Sequence, residues 1–369
     1  MKLFVQTIYF PPRLGGIENH AYYLCRGLAA RGHRVVVATS RTEPGSAAYE
    51  DEGGMTIHRV PIPGRNTLGW AINAVLSIPL SLRWGWDADL YHAHTFQAVP
   101  PLLLLRLIRR RPLLVTIHSS HFLRLMKSAL WRLFFRLLFA PADHFLATSV
   151  ELAEECRRVA PGKPVEEVVN GIDTDLFRPT DPSLPRKEGR ALLVTTRRLV
   201  KKNGVRYLIE GMPHILEKIP CDLYLAGVGP EREDLDRRIE KHRIGEHVHF
   251  LGGVANADLP PLLSSADVVV IPSLVEATSL SALEAMACER PMAASRVGGL
   301  PEIIDEGCGT LFRSGDPEDL AEKVVALLRK PAEERQAMGK EGRRRVVERW
   351  SIGALVNRHE EIFQKLRGK

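Results

Sequence analysis

The 369-residue chain has few cysteines and no long apolar run, and each shortage excludes a class of protein. Its five cysteines are scattered and include no Cys-x-x-Cys pair, which argues against a disulfide framework or a zinc site and for a reducing compartment. The longest apolar stretch, residues 68–82, falls short of the roughly 20 residues that span a bilayer and contains Pro79. Repeats and low-complexity tracts are also absent. We therefore expect a cytoplasmic protein without a signal peptide or a transmembrane helix.

Positive charge is concentrated in the first half of the chain. Residues 1–178 carry 21 Lys and Arg against 15 Asp and Glu, whereas the remaining residues carry 30 against 29. This asymmetry predicts an acidic surface or an acidic ligand for the first half, and we expect no nucleic acid among the partners.

Short apolar runs alternate with amphipathic helical patterns in both halves, such as the helical patterns at 17–31 and 204–218. Strands that alternate with helices form βαβ units and parallel sheets. The sequence therefore predicts an α/β protein with two doubly wound, Rossmann-like parallel-sheet domains. Such domains bind ligands at the carboxyl ends of their strands, so we expect the two domains to face each other across a ligand-binding cleft.

The proline-rich stretch "FRPTDPSLPRKEGR" (177–190) predicts the domain boundary. We place an N-terminal domain at 1–178, a linker at 179–188 and a C-terminal domain at 189–345. The last segment, 346–369, is expected to be a helix that packs back toward the N-terminal domain.

The segment "PSLVEATSLSALEAMACERP" (272–291) places Glu276 and Glu284 eight positions apart, after an apolar strand. Thr278 or Ser279 suits the N-cap of the helix that follows. Small residues there let a phosphate approach the first backbone N–H groups, and a carboxylate can accept hydrogen bonds from sugar hydroxyls. The alternative interpretation is a capped surface helix with two solvated glutamates.

Two further segments suit an anionic ligand. The turn "TTRRLVKKNG" (195–204) places four cations at the carboxyl end of a strand, where they could neutralise a leaving diphosphate. The pair Gly15–Gly16 in "PPRLGGIENH" lets the backbone approach a ligand closely. The alternative for residues 195–204 is a basic surface turn, and the alternative for Gly15–Gly16 is a tight turn.

These segments resemble a known family. The block "PSLVEATSLSALEAMACERPMAASRVGGLPEII" is similar to the donor-site signature of retaining GT-B glycosyltransferases of family 4, and so are "RRLVKKNGVRYLIEGM", "YLAGVGPE", "VHFLGGV" and "VVNGIDTDLFRP". In the first half, "LGGIENH", "DLYHAHT" and "VTIHSS" follow the family's order. The resemblance covers essentially the whole chain, and its E-x7-E block with the downstream "GGLPE" is specific.

The resemblance implies catalytic roles for four residues. Glu276 should contact hydroxyls of the transferred sugar, and Arg198 with a lysine should balance the charge of the leaving diphosphate. The family's lysine position is Asn203 here, so Lys202 is the expected substitute, with Lys201 as the alternative. His118 of "VTIHSS" should lie across the cleft near the sugar.

It also implies that 1–178 is the acceptor-side domain, that 189–345 is the nucleotide-sugar-binding domain, and that certain residues bind the donor. Glu284 should hold the ribose, and Gly15 and Gly16 should border donor and acceptor. Backbone amides should meet the diphosphate near Thr278, Ser279 and Leu280. The usual Gly-Phe after the first glutamate is Ala277-Thr278 here, which leaves the shape of the sugar pocket open.

We predict no required metal and no cofactor. The two D-x-D triplets, Asp87–Asp89 and Asp173–Asp175, lie away from the E-x7-E block, and structural roles are expected for both. We also expect His92 and His94 to face opposite sides of their strand, which makes them poor joint ligands.

The stretch "FLRLMKSALWRLFFRLLF" (122–139) contains four cations and no acid. On a helical wheel the cations occupy about half the circle, which predicts one amphipathic helix that lies on an anionic membrane. An ordinary helix packed on the sheet is the alternative.

We therefore predict a metal-independent, retaining hexosyltransferase. The donor is expected to be a UDP- or GDP-sugar, and the acceptor a hydroxyl of a lipid-linked or cell-envelope glycan. A GT-B nucleotide-sugar epimerase and a non-enzymatic membrane-surface binding protein remain as alternatives.

Overall fold

A computed structural model of the chain describes residues 1–12, 16–41, 43, 45–64, 66–118, 120–168, 171–276 and 279–368. The chain forms two compact units. Unit 1 contains Met1–Gly171 and Ile352–Lys369, and unit 2 contains Ile172–Ser351.

Unit 1 is a doubly wound α/β unit whose described residues form a sheet of eight strands in the order β3-β4-β2-β1-β5-β6-β7-β8. Neighbouring strands run parallel except β3, which runs antiparallel to β4. The elements are β1 (Lys2–Thr7), α1 (Gly16–Ala30), β2 (Arg34–Arg41), β3 (Tyr49–Glu52), β4 (Met55–Pro61), α2 (Thr67–Trp84), β5 (Leu90–His94), α3 (Pro100–Arg109), β6 (Leu113–Ile117), α4 (Ser120–Leu125), α5 (Ala129–Phe139), β7 (His144–Ala147), α6 (Val150–Val159) and β8 (Val165–Glu167), and a later helix described below.

Both faces of the central strands of unit 1 are covered, which is why these strands are apolar runs rather than alternating patterns. Leu113 and Val115 of β6 pack into a core with side chains of α3 and α5. The intervening Leu114 packs on the opposite face with side chains of α1. This alternation follows from the two-residue period of a strand.

Unit 2 is also doubly wound, and its described strands form one parallel sheet in the order β11-β10-β9-β12-β13-β14. The elements are β9 (Ala191–Thr196), α7 (Val205–Leu216), β10 (Cys221–Ala226), α8 (Arg232–His242), β11 (Val248–Gly252), α9 (Leu259–Ser264), β12 (Val268–Ile271), α10 (Leu280–Ala287), β13 (Met292–Ser295), α11 (Leu300–Ile303), β14 (Gly309–Phe312), α12 (Pro317–Leu328) and α13 (Ala332–Arg349). Side chains of α7, α8 and α12 cover one face of this sheet. The two parallel-sheet units confirm the predicted α/β, Rossmann-like fold class.

The units divide at residues other than the predicted boundaries. Residues 179–188, predicted as a linker, belong to unit 2. There the backbone N–H of Thr180 donates to Ser264 Oγ over 3.1 Å, and the N–H groups of Ser183 and Leu184 donate to Ser265 Oγ over 3.0 Å. These hydrogen bonds hold the proline-rich stretch against α9 instead of leaving it free between two domains.

The last helix, α14 (Ile352–Arg367), belongs to unit 1. Its residues Leu355, Ile362 and Leu366 are buried with side chains of α1. Arg31 after α1 donates to the Glu360 carboxylate over 2.7 Å. Residues 346–349, predicted as part of this helix, instead complete α13.

The predicted single helix over 122–139 is wrong, because the structure contains two helices, α4 and α5. The chain turns between them, and Arg132 Nη1 donates to the Met126 carbonyl over 2.8 Å. Phe122 and Phe135 are buried with ring centroids 4.8 Å apart, so both helices pack on the core.

Candidate functional site

The sequence motifs of the second half converge at the carboxyl ends of β9 and β12, which are neighbouring parallel strands of unit 2. Arg197 directly follows β9, and the loop that carries Glu276 follows β12. Because parallel neighbours end at the same edge of a sheet, residues almost 80 positions apart meet there.

Arg197 and Glu276 form an ion pair at the centre of this site, with exposed side-chain fractions of only 9% and 14%. Arg197 Nη2 also donates to Ser273 Oγ over 2.6 Å and to Asn203 Oδ1 over 3.1 Å, and Nη1 donates to Ser279 Oγ over 3.2 Å. Ser273 Oγ in turn donates to the Glu276 carboxylate over 3.2 Å. The Glu276 carboxylate is therefore held in one position by charge-assisted hydrogen bonds.

Sequence reasoning missed Arg197, because it assigned the electrostatic role to the next residue. Arg198 is exposed, and among the described residues its guanidinium has no ion-pair partner. Lys202 is exposed as well, and its carbonyl accepts the N–H groups of Leu274 and Val275 over 2.8 and 3.3 Å. Adjacent residues at the end of a strand point to opposite sides of the sheet. The two-residue period of the strand was therefore the sequence signal that only one of the two neighbouring arginines turns inward.

Two glycines fix the loop that carries Glu276. Gly204 has φ +66°, and a Cβ there would collide with the Pro272 carbonyl oxygen. Gly298 of "GGLPE" has φ +52°, and a Cβ there would collide with the Glu276 carbonyl oxygen. Both backbone conformations disfavour residues other than glycine. The glycine motifs therefore hold the backbone on both sides of the predicted sugar-binding carboxylate.

The N-terminus of α10 lies beside this ion pair. Ser279 is its N-cap, and the buried Ser279 Oγ accepts the N–H of Ala282 over 3.3 Å. Ser281 Oγ donates to the Thr196 carbonyl over 2.7 Å, which ties α10 to β9. Leu280 is the first helical residue, while Ala277 and Thr278 lie outside the described residues. The two described serines thus build the site rather than present hydroxyls to solvent.

Glu284 lies one turn into α10 and is half-buried. Burial raises the pKa of its carboxyl from 4.5 to about 7, against the opposing effect of the Arg197 charge. A carboxyl whose pKa lies near neutrality at the carboxyl edge of a parallel sheet is a common feature of functional sites, which makes Glu284 a candidate site residue.

We expect the substitution Glu284→Gln to stabilise the free protein at pH 8 relative to pH 5. Between pH 4.5 and 7 the folded protein retains a proton that the unfolded chain has released, so the stability of the natural protein falls as the pH rises through this interval. The free energy of unfolding of the natural protein falls by about 1 to 3 kcal/mol over this interval. The variant does not lose this stability, because a glutamine side chain does not titrate. Thermal unfolding of both proteins at the two pH values measures it. Glu322→Gln, at an exposed position on α12, is the control, and an equal shift of the two proteins would contradict the prediction.

In unit 1, the predicted residue His118 follows β6 and is part of a histidine cluster. His94 Nδ1 lies 3.1 Å from His118 Nε2, and the His20 ring centroid lies 4.5 Å from that of His118. Burial holds the pKa of His94 and of His118 well below the ordinary value, so both imidazoles are neutral at pH 7. Of the two predicted glycines, Gly15 lies outside the described residues and Gly16 is the first residue of α1.

The expectation that His92 and His94 face opposite sides of their strand is wrong. Their ring centroids are 4.1 Å apart. Residues two positions apart on a strand share a face, and the prediction misapplied this period. His92 Nε2 is also 2.7 Å from Thr116 Oγ1 on the neighbouring strand β6.

Some groups in unit 1 have the chemistry of metal ligands. Candidate ligand atoms of His20, His94 and His118 lie within 4.8 Å of one another, and neutral imidazoles suit transition metals.

The D-x-D triplets have other contacts. Asp87 pairs with Lys2, and the Asp173 carboxylate accepts the backbone N–H groups of residues 175 and 176 over 3.1 and 3.0 Å.

Within the described ranges, no helix has both the length and the apolar character that crossing a bilayer requires.

Two families match the chain, one in each half. Residues 14–176 match the family described as Glycosyltransferase Family 4, and residues 178–345 match the family described as Glycosyl transferases group 1.

The chain is also similar to curated proteins over most of its length. It is 32% identical to an uncharacterized glycosyltransferase of Methanocaldococcus jannaschii, covering 89% of each chain. It is 30% identical to a glycogen synthase of Mycobacterium tuberculosis, covering 89% of this chain and 86% of the relative. With one subunit of the phosphatidylinositol N-acetylglucosaminyltransferase of Arabidopsis thaliana it shares 27% identity, covering 89% and 75%.

Solved structures share the fold at lower sequence identity. The sucrose-phosphate synthase of Thermosynechococcus elongatus superposes with a TM-score of 0.80 at 23% identity, covering 100% of this chain and 99% of the other. HepE of Anabaena, in complex with UDP and glucose, superposes with a TM-score of 0.72 at 18% identity, covering 99% and 100%.

Proposed function

Since this chain belongs to the glycosyltransferases of family 4 and group 1, we propose that it transfers a hexose from a UDP- or GDP-sugar to an acceptor hydroxyl. The observation that carries this proposal is the edge of unit 2 at which β9, β12 and α10 meet. There the carboxylate of Glu276 is held by Arg197, and the turn after β9 also carries Arg198 and Lys202, which are exposed and have no ion-pair partners among the described residues. A fixed carboxylate and unpaired cations at the same edge of a sheet suit a sugar linked to a diphosphate.

Each residue has a proposed role in this reaction. Glu276 accepts hydrogen bonds from hydroxyls of the transferred sugar, and Glu284 accepts them from the ribose. Arg198 and Lys202 stabilise the negative charge that develops on the diphosphate as it leaves. Backbone N–H groups at the start of α10 add the partial positive charge of a helix N-terminus. His118 of unit 1 completes the set as a neutral imidazole that hydrogen bonds the sugar.

We propose retention at the anomeric carbon by departure of the diphosphate from the same face that the acceptor attacks. The bond from the anomeric carbon to the diphosphate oxygen breaks, a bond from the acceptor oxygen forms, and the acceptor proton passes to the diphosphate. We propose no covalent intermediate on Glu276: Arg197 and Ser273 both donate to its Oε2, and its Oε1 is proposed to accept hydrogen bonds from the sugar. The protein therefore contributes positioning and electrostatic stabilisation.

The proposed acceptor is a hydroxyl of a lipid-linked or cell-envelope glycan. Its support is a relative whose name specifies phosphatidylinositol, together with the basic first half of this chain. The proposed nucleotide class has support from the UDP bound in the HepE structure. We further propose that no metal is required, because the contacts of Asp87 and Asp173 already account for one carboxylate of each D-x-D triplet.

A screen of UDP- and GDP-hexoses, with and without EDTA, tests the proposed function. We expect one donor to raise the unfolding temperature and to release free nucleotide, with equal rates in EDTA, because a specific ligand stabilises the folded state by mass action. A purified lipid-linked glycan should accelerate that release. An epimerised nucleotide sugar would instead identify an epimerase. Absence of both stabilisation and nucleotide release for every donor would favour a binding protein, and a rate lost in EDTA and restored by Mg²⁺ would overturn metal independence.

A further inference from the structure

Exposed apolar side chains of this protein are concentrated on one part of unit 1. Among the described residues, 17 large hydrophobic side chains are exposed, and 12 of them lie between Leu68 and Leu137. These twelve belong to α2, α3 and α5 and to the turn after α2: Leu68, Val75, Leu76, Trp86, Leu104, Leu107, Ile108, Leu130, Trp131, Leu133, Phe134 and Leu137. We call this set of side chains the docking face.

Helix α2 has the reverse of the usual amphipathic pattern. Its buried residues are Gly69, Asn73, Ser77 and Ser81, which recur every four positions and therefore form one stripe toward the sheet. Gln6 of β1 donates to Ser77 Oγ over 3.3 Å on this inner side. The outer side carries Leu68, Val75 and Leu76, with exposed fractions of 62%, 64% and 41%. A helix that packs on its core through small and polar residues and presents leucine and valine outward is suited to a second apolar environment.

Helix α5 has apolar side chains on two sides. Phe135, Leu138 and Phe139 are buried, so the inner side satisfies packing on the sheet. Residues at positions i, i+3, i+4 and i+7 form a separate exposed stripe, with 75%, 56%, 45% and 70% of each side chain exposed: Leu130, Leu133, Phe134 and Leu137. Packing within unit 1 therefore does not account for the outer stripe.

The helices of the docking face adjoin one another. The Trp70 ring of α2 lies 5.6 Å from the His121 ring of α4, three residues beyond His118. At the other end of α2, Arg109 of α3 donates to the Trp86 carbonyl over 3.0 Å. Arg106 of α3 donates to the Pro141 carbonyl, just after α5, over 3.3 Å. The docking face is thus one region of the surface, and its α2–α4 end lies near the histidine cluster.

The charge around the docking face has one sign. Residues 62–142 contain ten Lys and Arg but two Asp and Glu, an excess of +8 that exceeds the +7 of the whole chain. The two acids, Asp87 and Asp89, precede β5 and interact with Lys2. The next acid along the chain, Asp143, pairs with Arg106, whereas the exposed cations Arg110, Arg111 and Arg136 have no ion-pair partner among the described residues.

We propose that the docking face binds the surface of an anionic lipid bilayer, with α2, α3 and α5 lying on the membrane. Apolar side chains enter the boundary between headgroups and acyl chains, while the arginines around them attract anionic headgroups. Trp86 and Trp131 suit the same interface, where amphipathic rings are enriched. The assignment of the docking face to a bilayer depends on its exposed apolar side chains and on the positive charge around them. Only the role of this contact, which is to present a lipid-linked acceptor to the enzyme, rests on the proposed function.

Vesicle co-sedimentation of the full-length protein tests this inference. The probes are phosphatidylcholine vesicles with 0 or 30% phosphatidylglycerol in about 0.1 M salt, where the Debye length is about 10 Å. We expect binding to the anionic vesicles that falls as the salt concentration rises. The variants Val75→Ser/Leu76→Ser on α2 and Leu133→Ser/Leu137→Ser on α5 should each weaken binding roughly tenfold or more, because each removes two side chains from the apolar layer. Arg110→Gln/Arg111→Gln should weaken binding to anionic vesicles at least severalfold.

Matched controls lie in unit 1 but outside the docking face. Val150→Ser changes an exposed apolar residue of α6, and Lys365→Gln/Arg367→Gln removes exposed charges from α14. These controls should bind vesicles like the natural protein, and all variants should retain its unfolding temperature and its donor hydrolysis without vesicles. Equal binding by the docking-face variants and the controls would overturn the inference, as would failure of the natural protein to bind. Self-association in vesicle-free buffer that the same substitutions abolish would instead assign the face to contacts between copies.

The outcomes for membrane and enzyme can be told apart. Vesicle binding without nucleotide release from any donor would leave the docking face intact and reject the proposed function. Nucleotide release without vesicle binding would support the proposed function and reject the docking face as a membrane-binding surface.

Discussion

Replacing Glu276 with alanine is expected to lower the turnover of the transfer reaction at least about a hundredfold, the usual cost of losing a contact made in the transition state. The carboxylate is already positioned by Arg197 and Ser273, so binding of the sugar requires no further ordering of this side chain. Steady-state kinetics with the donor identified by the screen measures the effect, with Glu322→Ala on α12 as a surface control.

The ion pair complicates this substitution, because alanine at position 276 leaves Arg197 buried without its charge partner. Breaking such a pair destabilises a protein by about 3 kcal/mol. In the double variant Arg197→Ala/Glu276→Ala both charges are gone, so the unfolding temperature should recover while the turnover remains low. Recovery of turnover together with stability would show that Glu276 acts only on folding, and would reject its proposed contact with the sugar.

Replacing Arg198 with alanine is expected to lower turnover at least about a hundredfold without loss of stability. The side chain is exposed and has no ion-pair partner among the described residues, and surface substitutions of this kind change the free energy of unfolding by about 0.5 kcal/mol or less. The neighbouring Arg197→Ala should behave differently, because it removes a buried partner of Glu276 and should lower the unfolding temperature as well. The pair of variants therefore separates a residue that acts on the diphosphate from one that positions the carboxylate.

Lys218→Ala is the matched control for Arg198→Ala. Lys218 is an exposed cation that precedes β10, at the amino ends of the strands of the same sheet. Its removal should leave turnover unchanged. A turnover within a few-fold of the natural value for Arg198→Ala would exclude Arg198 from the stabilisation of the leaving group.

Much of the fold was predictable from local sequence. The short apolar runs that predicted the βα units, such as "RVVVATS" and "DVVVIPS", are strands in the structure, because such runs are stable as strands when both faces of the sheet are covered. Five strands were not recognised: the seven-residue β4, the three-residue β8, and three strands with weaker patterns. β13 (Met292–Ser295) and β14 (Gly309–Phe312) are four residues long and contain alanine or glycine, while the edge strand β3 is mostly acidic. Their pairing partners, rather than their own residues, make them strands.

The candidate site was predictable as a set of motifs but not as a set of contacts. The E-x7-E block, "KKNG" and "GGLPE" could be read from the chain, and the structure explains the glycines by the collisions that any side chain would cause at Gly204 and Gly298. Composition could not reveal which serine caps α10 and which one ties it to β9. Those roles depend on strands and helices that are far apart in sequence.

The sequence by itself determined the order of βα units, the family resemblance and the residue types at the carboxyl ends of the strands, since all of these follow from short-range patterns. Only the tertiary structure decided that Arg197 pairs with Glu276, that His94 meets His118 of the neighbouring strand end, and that α2 packs through its polar side. The physical reason is the same in each case. Burial and charge pairing are decided by neighbours that chain folding brings together, and no local pattern records those neighbours.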